Sequence, residues 1–119
     1  MTNIMLVDDS KFMRGVLSKI VGGQHNIVGE AGNGLEAVST YETLKPDVVL
    51  MDIVMPDMNG FQATRQLTRQ ANTKHIPVVI VSSKDQETDK VWGERQGASG
   101  YVTKPVDTGK LIALINSLI

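Results

Sequence analysis

Short apolar runs alternate along this chain with stretches in which apolar residues recur every three or four positions. The runs are Ile4-Met5-Leu6-Val7, Val48-Val49-Leu50-Met51 and Ile76-Pro77-Val78-Val79-Ile80-Val81. Runs this short, closed by polar or turn-forming residues, predict parallel strands buried on both faces. Asn26-Ile27-Val28-Gly29-Glu30-Ala31 reads as a weaker strand, and its Asn26 and Glu30 place it at a sheet edge. Gly100-Tyr101-Val102-Thr103 reads as a fifth strand.

The intervening stretches carry helical spacing. Phe12, Met13, Val16, Leu17, Ile20 and Val21 mark a first helix. Ser10 is placed to cap it, and Gly22-Gly23 stops it. Leu35, Val38, Tyr41 and Leu44 predict one side of a second helix. It runs from the Asn33-Gly34 turn to Lys45-Pro46, because a residue ahead of proline leaves the helical region. Phe61, Thr64, Leu67, Thr68 and Ala71 predict a third. Ser83 and Gln86 have capping-box spacing, which predicts a fourth through Val91-Trp92 to Gly97. Asp107 caps a last helix with Leu111, Leu114, Ile115 and Leu118 turned inward. Strand and helix thus alternate with connections of a few residues. That order predicts an α/β fold with a parallel sheet and helices on both faces, its topologies narrowed by right-handed crossovers.

Composition narrows the function classes. The 119 residues match one ordinary domain. No linker, repeat or low-complexity tract interrupts them, so residues 1–119 are expected to form a single domain. At 41% hydrophobic the chain can bury a core, and its net charge of −1 gives no basic face for nucleic acid. Without cysteine, disulfides and thiolate metal sites are excluded. No apolar run approaches the ~18 residues of a membrane span. Met1-Thr2-Asn3 leads almost directly into the first strand, with no basic and apolar leader. A cytoplasmic protein without membrane insertion or direct nucleic-acid contact is expected. Met5, Met13 and Met51 read as core fillers, and His25 and His75 as surface residues in loops at the amino-terminal end of the strands.

The chemistry gathers at the strand ends. The first run closes on Asp8-Asp9, the third strand on Asp52, the fourth on Ser82-Ser83 and the fifth on Lys104. In a parallel sheet these ends share one edge, where open α/β sheets bind ligands. Polar residues commonly follow strands because turns favour them. That accounts for one or two such residues and fits three acids badly. Two like charges 4 Å apart repel by roughly 4 kcal/mol at an effective dielectric of 20, against a net fold stability of only ~5–15 kcal/mol. Binding of Mg²⁺, which favours oxygen ligands, gives the cluster a reason. Lys104 suits a phosphate partner as a point charge, and Ser82 can donate to the same anion. A metal, phosphate contacts and a carboxylate nucleophile are the parts needed to form an aspartyl phosphate, with Asp52 as acceptor.

Asp8-Asp9, Asp52 with Met55-Pro56 and Asn59-Gly60 after it, Ser82, and Lys104-Pro105 stand in the order and spacing of a known family. On these motifs the chain resembles, over nearly its whole length, the receiver domain of two-component response regulators. The resemblance implies a flavodoxin-like (CheY-like) doubly wound five-stranded parallel sheet of order 2-1-3-4-5. It implies that Asp52 is the phosphoacceptor and a metal ligand. Asp9 is then the direct carboxylate ligand of Mg²⁺, Asp8 acts mainly through water, and the backbone carbonyl of Val54 supplies another ligand. Lys104 contacts phosphoryl oxygens, Ser82 takes the family's switching hydroxyl position, and Tyr101 takes its aromatic switch position. Lys104-Pro105 matches a peptide bond that is usually cis in the family. Val54 and Lys84 occupy variable positions that tune loss of the phosphoryl group.

The implied partners are a CheA-like histidine kinase and a downstream protein. The latter would be bound by the fourth helix, fifth strand and fifth helix, about residues 86–119, of a monomer or weak dimer. The stretches 59–67 and 84–93 resemble PilH-type single-domain receivers of type IV pilus (twitching) chemosensory systems, whereas 8–14 is more like chemotaxis CheY proteins. With the last helix closing the chain, output by protein contact is expected, the alternative being a phosphate sink. An aspartyl-nucleophile phosphatase usually needs a second acid two residues after the nucleophile, where this chain has Val54. An FMN carrier needs a Ser/Thr- and Gly-rich loop where Asp8-Asp9 stands.

Overall fold

The computed structural model describes residues 2–119. Five strands and five helices alternate: β1 (Asn3–Val7), α1 (Lys11–Val21), β2 (Asn26–Ala31), α2 (Gly34–Leu44), β3 (Val48–Met51), α3 (Gly60–Arg69), β4 (Val78–Ser82), α4 (Glu87–Arg95), β5 (Gly100–Thr103) and α5 (Thr108–Leu118). All neighbouring strands are parallel, in the order β2-β1-β3-β4-β5. The polar second strand is an edge, as its sequence predicts.

The apolar runs divide between two cores because successive strand residues point to opposite faces. Ile4, Leu6, Val48, Leu50, Val79 and Val81 pack against Leu17 and Val21 of α1 and Leu111 and Ile115 of α5. Met5, Val7, Val49, Met51 and Val78 pack against Ala37 and Tyr41 of α2 and Ala63 and Leu67 of α3. A methyl group at Gly93 would come within 2.9 Å of Ile80 Cδ1, so α4 lies against the sheet through its glycine. The runs that form β1, β3 and β4 are buried throughout, as central parallel strands require.

Several sequence expectations need correction. Phe12 is 78% exposed and Leu35 55%. Of the predicted side of α2, Tyr41 is buried and Val38 and Leu44 pack against the core, while Gly34 and Ala37 complete the buried stripe in place of Leu35. Ala71 lies beyond the end of α3. The fourth helix begins after Gln86, whose backbone N–H donates to the Asp89 carboxylate at 3.2 Å. Ser83 does not cap it; the neighbouring Ser82 Oγ instead accepts the Lys84 N–H at 3.2 Å, which keeps this stretch in a turn. His75 is exposed, but His25 is buried, 7% exposed. Its N–H donates to the Val21 carbonyl at 2.9 Å, and this tight turn at the end of α1 returns the residue to the body of the protein.

Candidate functional site

The carboxyl edge of the sheet collects the polar strand ends. Asp8 follows β1, and its N–H donates to Ala31 of β2 at 3.1 Å. Asp52 follows β3, and its N–H donates to Val7 of β1 at 2.8 Å. Both acids thus continue the ladder for one residue, and both are buried, Asp52 with 8% exposure. Asp9, one residue further into the turn, is exposed. One oxygen from each of Asp8, Asp9 and Asp52 lies within 4.8 Å of the other two. A hard divalent cation would meet three carboxylate oxygens there, so the donor set fits Mg²⁺.

Lys104 reaches this cluster from β5. Its Nζ lies 2.9 Å from Asp8 Oδ2 and 3.5 Å from Asp52 Oδ1. Its backbone N–H donates to the Ser82 carbonyl at 2.8 Å, and the Lys104-Pro105 bond is cis. Burial and the charge of Asp8 push the Asp52 carboxyl above the ordinary carboxylate range, and Lys104 offsets only part of this. Burial pulls the Lys104 ammonium down. Its hydrogen bond to Asp8 and the charge of Asp52 outweigh that, so it ends above its ordinary value.

The adjoining loops are built around close backbone contacts. Asn59 Oδ1 accepts the Gln62 N–H at 2.9 Å, while Gln62 Oε1 accepts the Asn59 N–H at 3.1 Å. This capping box opens α3 immediately below Asp52. A β-carbon at Gly60 would lie 1.8 Å from the Asp52 carbonyl oxygen, so only glycine fits there. Asp57 supports the same loop with a left-handed φ of 67°. Ser82 is buried at the end of β4. The Tyr101 hydroxyl donates to the Lys84 carbonyl at 2.6 Å, tying β5 to the loop after Ser82. Burial, with the nearby charge of Asp89, pushes the Tyr101 phenol up. Val54 is exposed in the loop after Asp52.

Asp8, Asp9, Asp52 and Lys104 therefore meet in space, with Ser82 and Tyr101 on the flanking strands. A residue that sequence reasoning missed is Arg14. Its Nη1 donates to the Asp8 carbonyl at 2.6 Å, and its Nε contacts Glu30 Oε1 of β2 at 2.9 Å. No spacing rule links these three positions; the usable signal is a cation one turn into the helix that follows the acid pair. A hollow of about 520 Å³ between Tyr41, Lys45, Asp47, Asn72 and His75 lies at the opposite end of the strands and shares no residue with the acids.

Comparison with known proteins agrees with this geometry. Residues 4–116 match the response regulator receiver domain family. The chain is 54% identical to Protein PilH of Pseudomonas aeruginosa, over all of this chain and 98% of that protein. It is 38% identical to the chemotaxis protein CheY of Halobacterium salinarum, over 98% of this chain and 95% of that one. The crystal structure of a CheX–CheY–BeF3–Mg²⁺ complex from Borrelia burgdorferi superposes with a TM-score of 0.91 at 29% identity, covering 98% of this chain and 88% of that one.

Proposed function

Because the chain belongs to the receiver-domain family of response regulators, we propose that it accepts a phosphoryl group on Asp52 and uses it to switch a protein-binding surface. The observation that carries this reading is a buried carboxylate held among two further acids and one lysine at the open edge of the sheet. The donor is a phosphoimidazole on a CheA-like histidine kinase. An Asp52 carboxylate oxygen attacks phosphorus, an O–P bond forms, the P–N bond breaks, and its electron pair returns to the imidazole. Asp8, Asp9, Asp52 and the Val54 carbonyl would hold Mg²⁺. When bound, that ion neutralises charge between the attacking and transferring oxygens. The metal and beryllofluoride named with the Borrelia CheY support the assignment by likeness.

The chain's own groups supply the remaining steps. Lys104 exchanges its carboxylate partners for a phosphoryl oxygen. The Ser82 hydroxyl moves to donate to the same group, and the loop from Ser82 to Lys84 moves with it. Tyr101 is hydrogen-bonded to that loop and follows. The readout is the surface of α4, β5 and α5, which a downstream protein binds. Turnover is limited to self-catalysed phosphotransfer and autodephosphorylation. We assign residues 1–119 to one receiver domain acting in the cytoplasm; among the described residues no helix is long and apolar enough to cross a membrane. The high identity to PilH supports a place in pilus-driven motility.

The test is intact mass after incubation with acetyl phosphate, with and without Mg²⁺. One phosphoryl group is expected on the wild type in Mg²⁺ and none on Asp52→Asn. A wild type that binds Mg²⁺ yet gains no mass rules the mechanism out.

A further inference from the structure

We propose that Arg14 is a positioning residue for the divalent-cation site, acting through the peptide that joins Asp8 to Asp9. Asp8 is held from four sides. Its N–H donates to Ala31, its two carboxylate oxygens accept from Ser10 N–H at 2.9 Å and Lys104 at 2.9 Å, and its carbonyl accepts Arg14 Nη1 at 2.6 Å. Asp9 is exposed, and among the described residues its carboxylate accepts no hydrogen bond. What directs Asp9 is therefore its own backbone, whose peptide plane is fixed at the oxygen that Arg14 holds. Arg14 is fixed in turn by Glu30 at 2.9 Å, so one planar guanidinium joins β2, α1 and the acid turn.

Arginine suits this task because its donors leave in fixed directions, whereas a lysine ammonium is a single point on a flexible stem. The charge-assisted bond to the carbonyl is of the short, strong kind. Glu30 is about half exposed, and ion pairs so exposed contribute little to stability. The geometry thus points to placement of the acid turn as the main consequence of this contact.

The inference rests on the metal reading above, and the sign of the effect separates it from simple electrostatics. A positive charge near a cation site repels the ion, so removing it by charge alone would tighten binding. Loss of positioning loosens it. Binding of Mn²⁺ to the full chain, followed by loss of the free-ion EPR signal, is measured for the wild type, Arg14→Lys and Arg14→Gln. Both variants are expected to bind about tenfold more weakly, the lower end for residues that orient metal ligands. At saturating Mg²⁺ the rate of labelling by acetyl phosphate should return to the wild-type value, with only the apparent Mg²⁺ constant raised. Unchanged affinity in Arg14→Lys, tighter binding in Arg14→Gln, or a lower maximal rate at an unchanged Mg²⁺ constant each overturns the proposal. A lower melting temperature without a change in Mn²⁺ affinity does so too, leaving Arg14 a tie between α1 and β2. A wild type that binds no Mn²⁺ refutes the metal reading itself.

Discussion

Asp52 lies in the protein at a cost, and that cost can be measured. Its carboxyl titrates above the ordinary range because of burial and then Asp8. The native state therefore holds the Asp52 proton more tightly than the unfolded chain does. Stability falls as pH rises from the ordinary carboxylate pKa to the raised one, and the penalty is constant above it. Asp52→Asn should thus stabilise the protein at neutral pH by about 1 kcal/mol, a rise in melting temperature of roughly 4 °C. The difference from wild type should shrink as pH drops through that window; thermal melts across pH would show it. Lys104 has the opposite sign. Its pKa is raised in the fold, so its stabilisation is full below the unfolded value and is lost as pH rises through the folded one. Lys104→Met leaves buried carboxylates unpaired and should cost about 3 kcal/mol at pH 7 in a denaturant titration. Asp8, Asp9, Asp52, Ser82 and Lys104 were legible because strand ends converge whatever the loops do. Arg14 and Glu30 were not, since their contact crosses three elements and leaves no local spacing.

Among the elements, α3 shows how a helix start and the buried Asp52 share one construction. Asn59→Ala removes the cap and should cost about 1 kcal/mol. Gly60→Ala should cost several times as much and abolish labelling by acetyl phosphate, because its methyl group would collide with the Asp52 carbonyl. Urea unfolding of the two variants separates the effects. The Asn59-Gly60 pair was visible in the sequence, but only the fold reveals that the glycine is needed for close approach. Helical spacing and capping signals located the helices, yet the spacing misjudged one position in each of two faces, Phe12 of α1 and Leu35 of α2. In α2 the small residues Gly34 and Ala37 pack inward and leave Leu35 outside. In α4, for which spacing predicted no face, only Gly93 is buried, and Val91 and Trp92 are about half exposed. A search for large apolar residues overlooks a face that fits by being small.

Across the whole molecule, the sheet separates two cores that meet only through its backbone, and the acids sit on the rim they share. Cation binding at that rim favours the native state alone. Mg²⁺ at about ten times its dissociation constant should add ~1.4 kcal/mol of stability. The melting temperature should rise by a few degrees for the wild type, and Asp9→Asn should lose most of that rise. The sheet order was legible through family resemblance, and the layering through the alternation of strands and helices. The Lys104–Asp8 pair joins β5 to β1 across two intervening strands, a span of about 14 Å at the usual strand spacing. It works as a clasp over the rim, and Asp52, the proposed phosphoacceptor, lies beneath it. Under the proposed function, phosphorylation of Asp52 draws the lysine away and undoes the clasp, so the event that writes the signal would also loosen the outer strand. Amide hydrogen exchange in β5 should then quicken on phosphorylation while β2, beyond the clasp, keeps its pace.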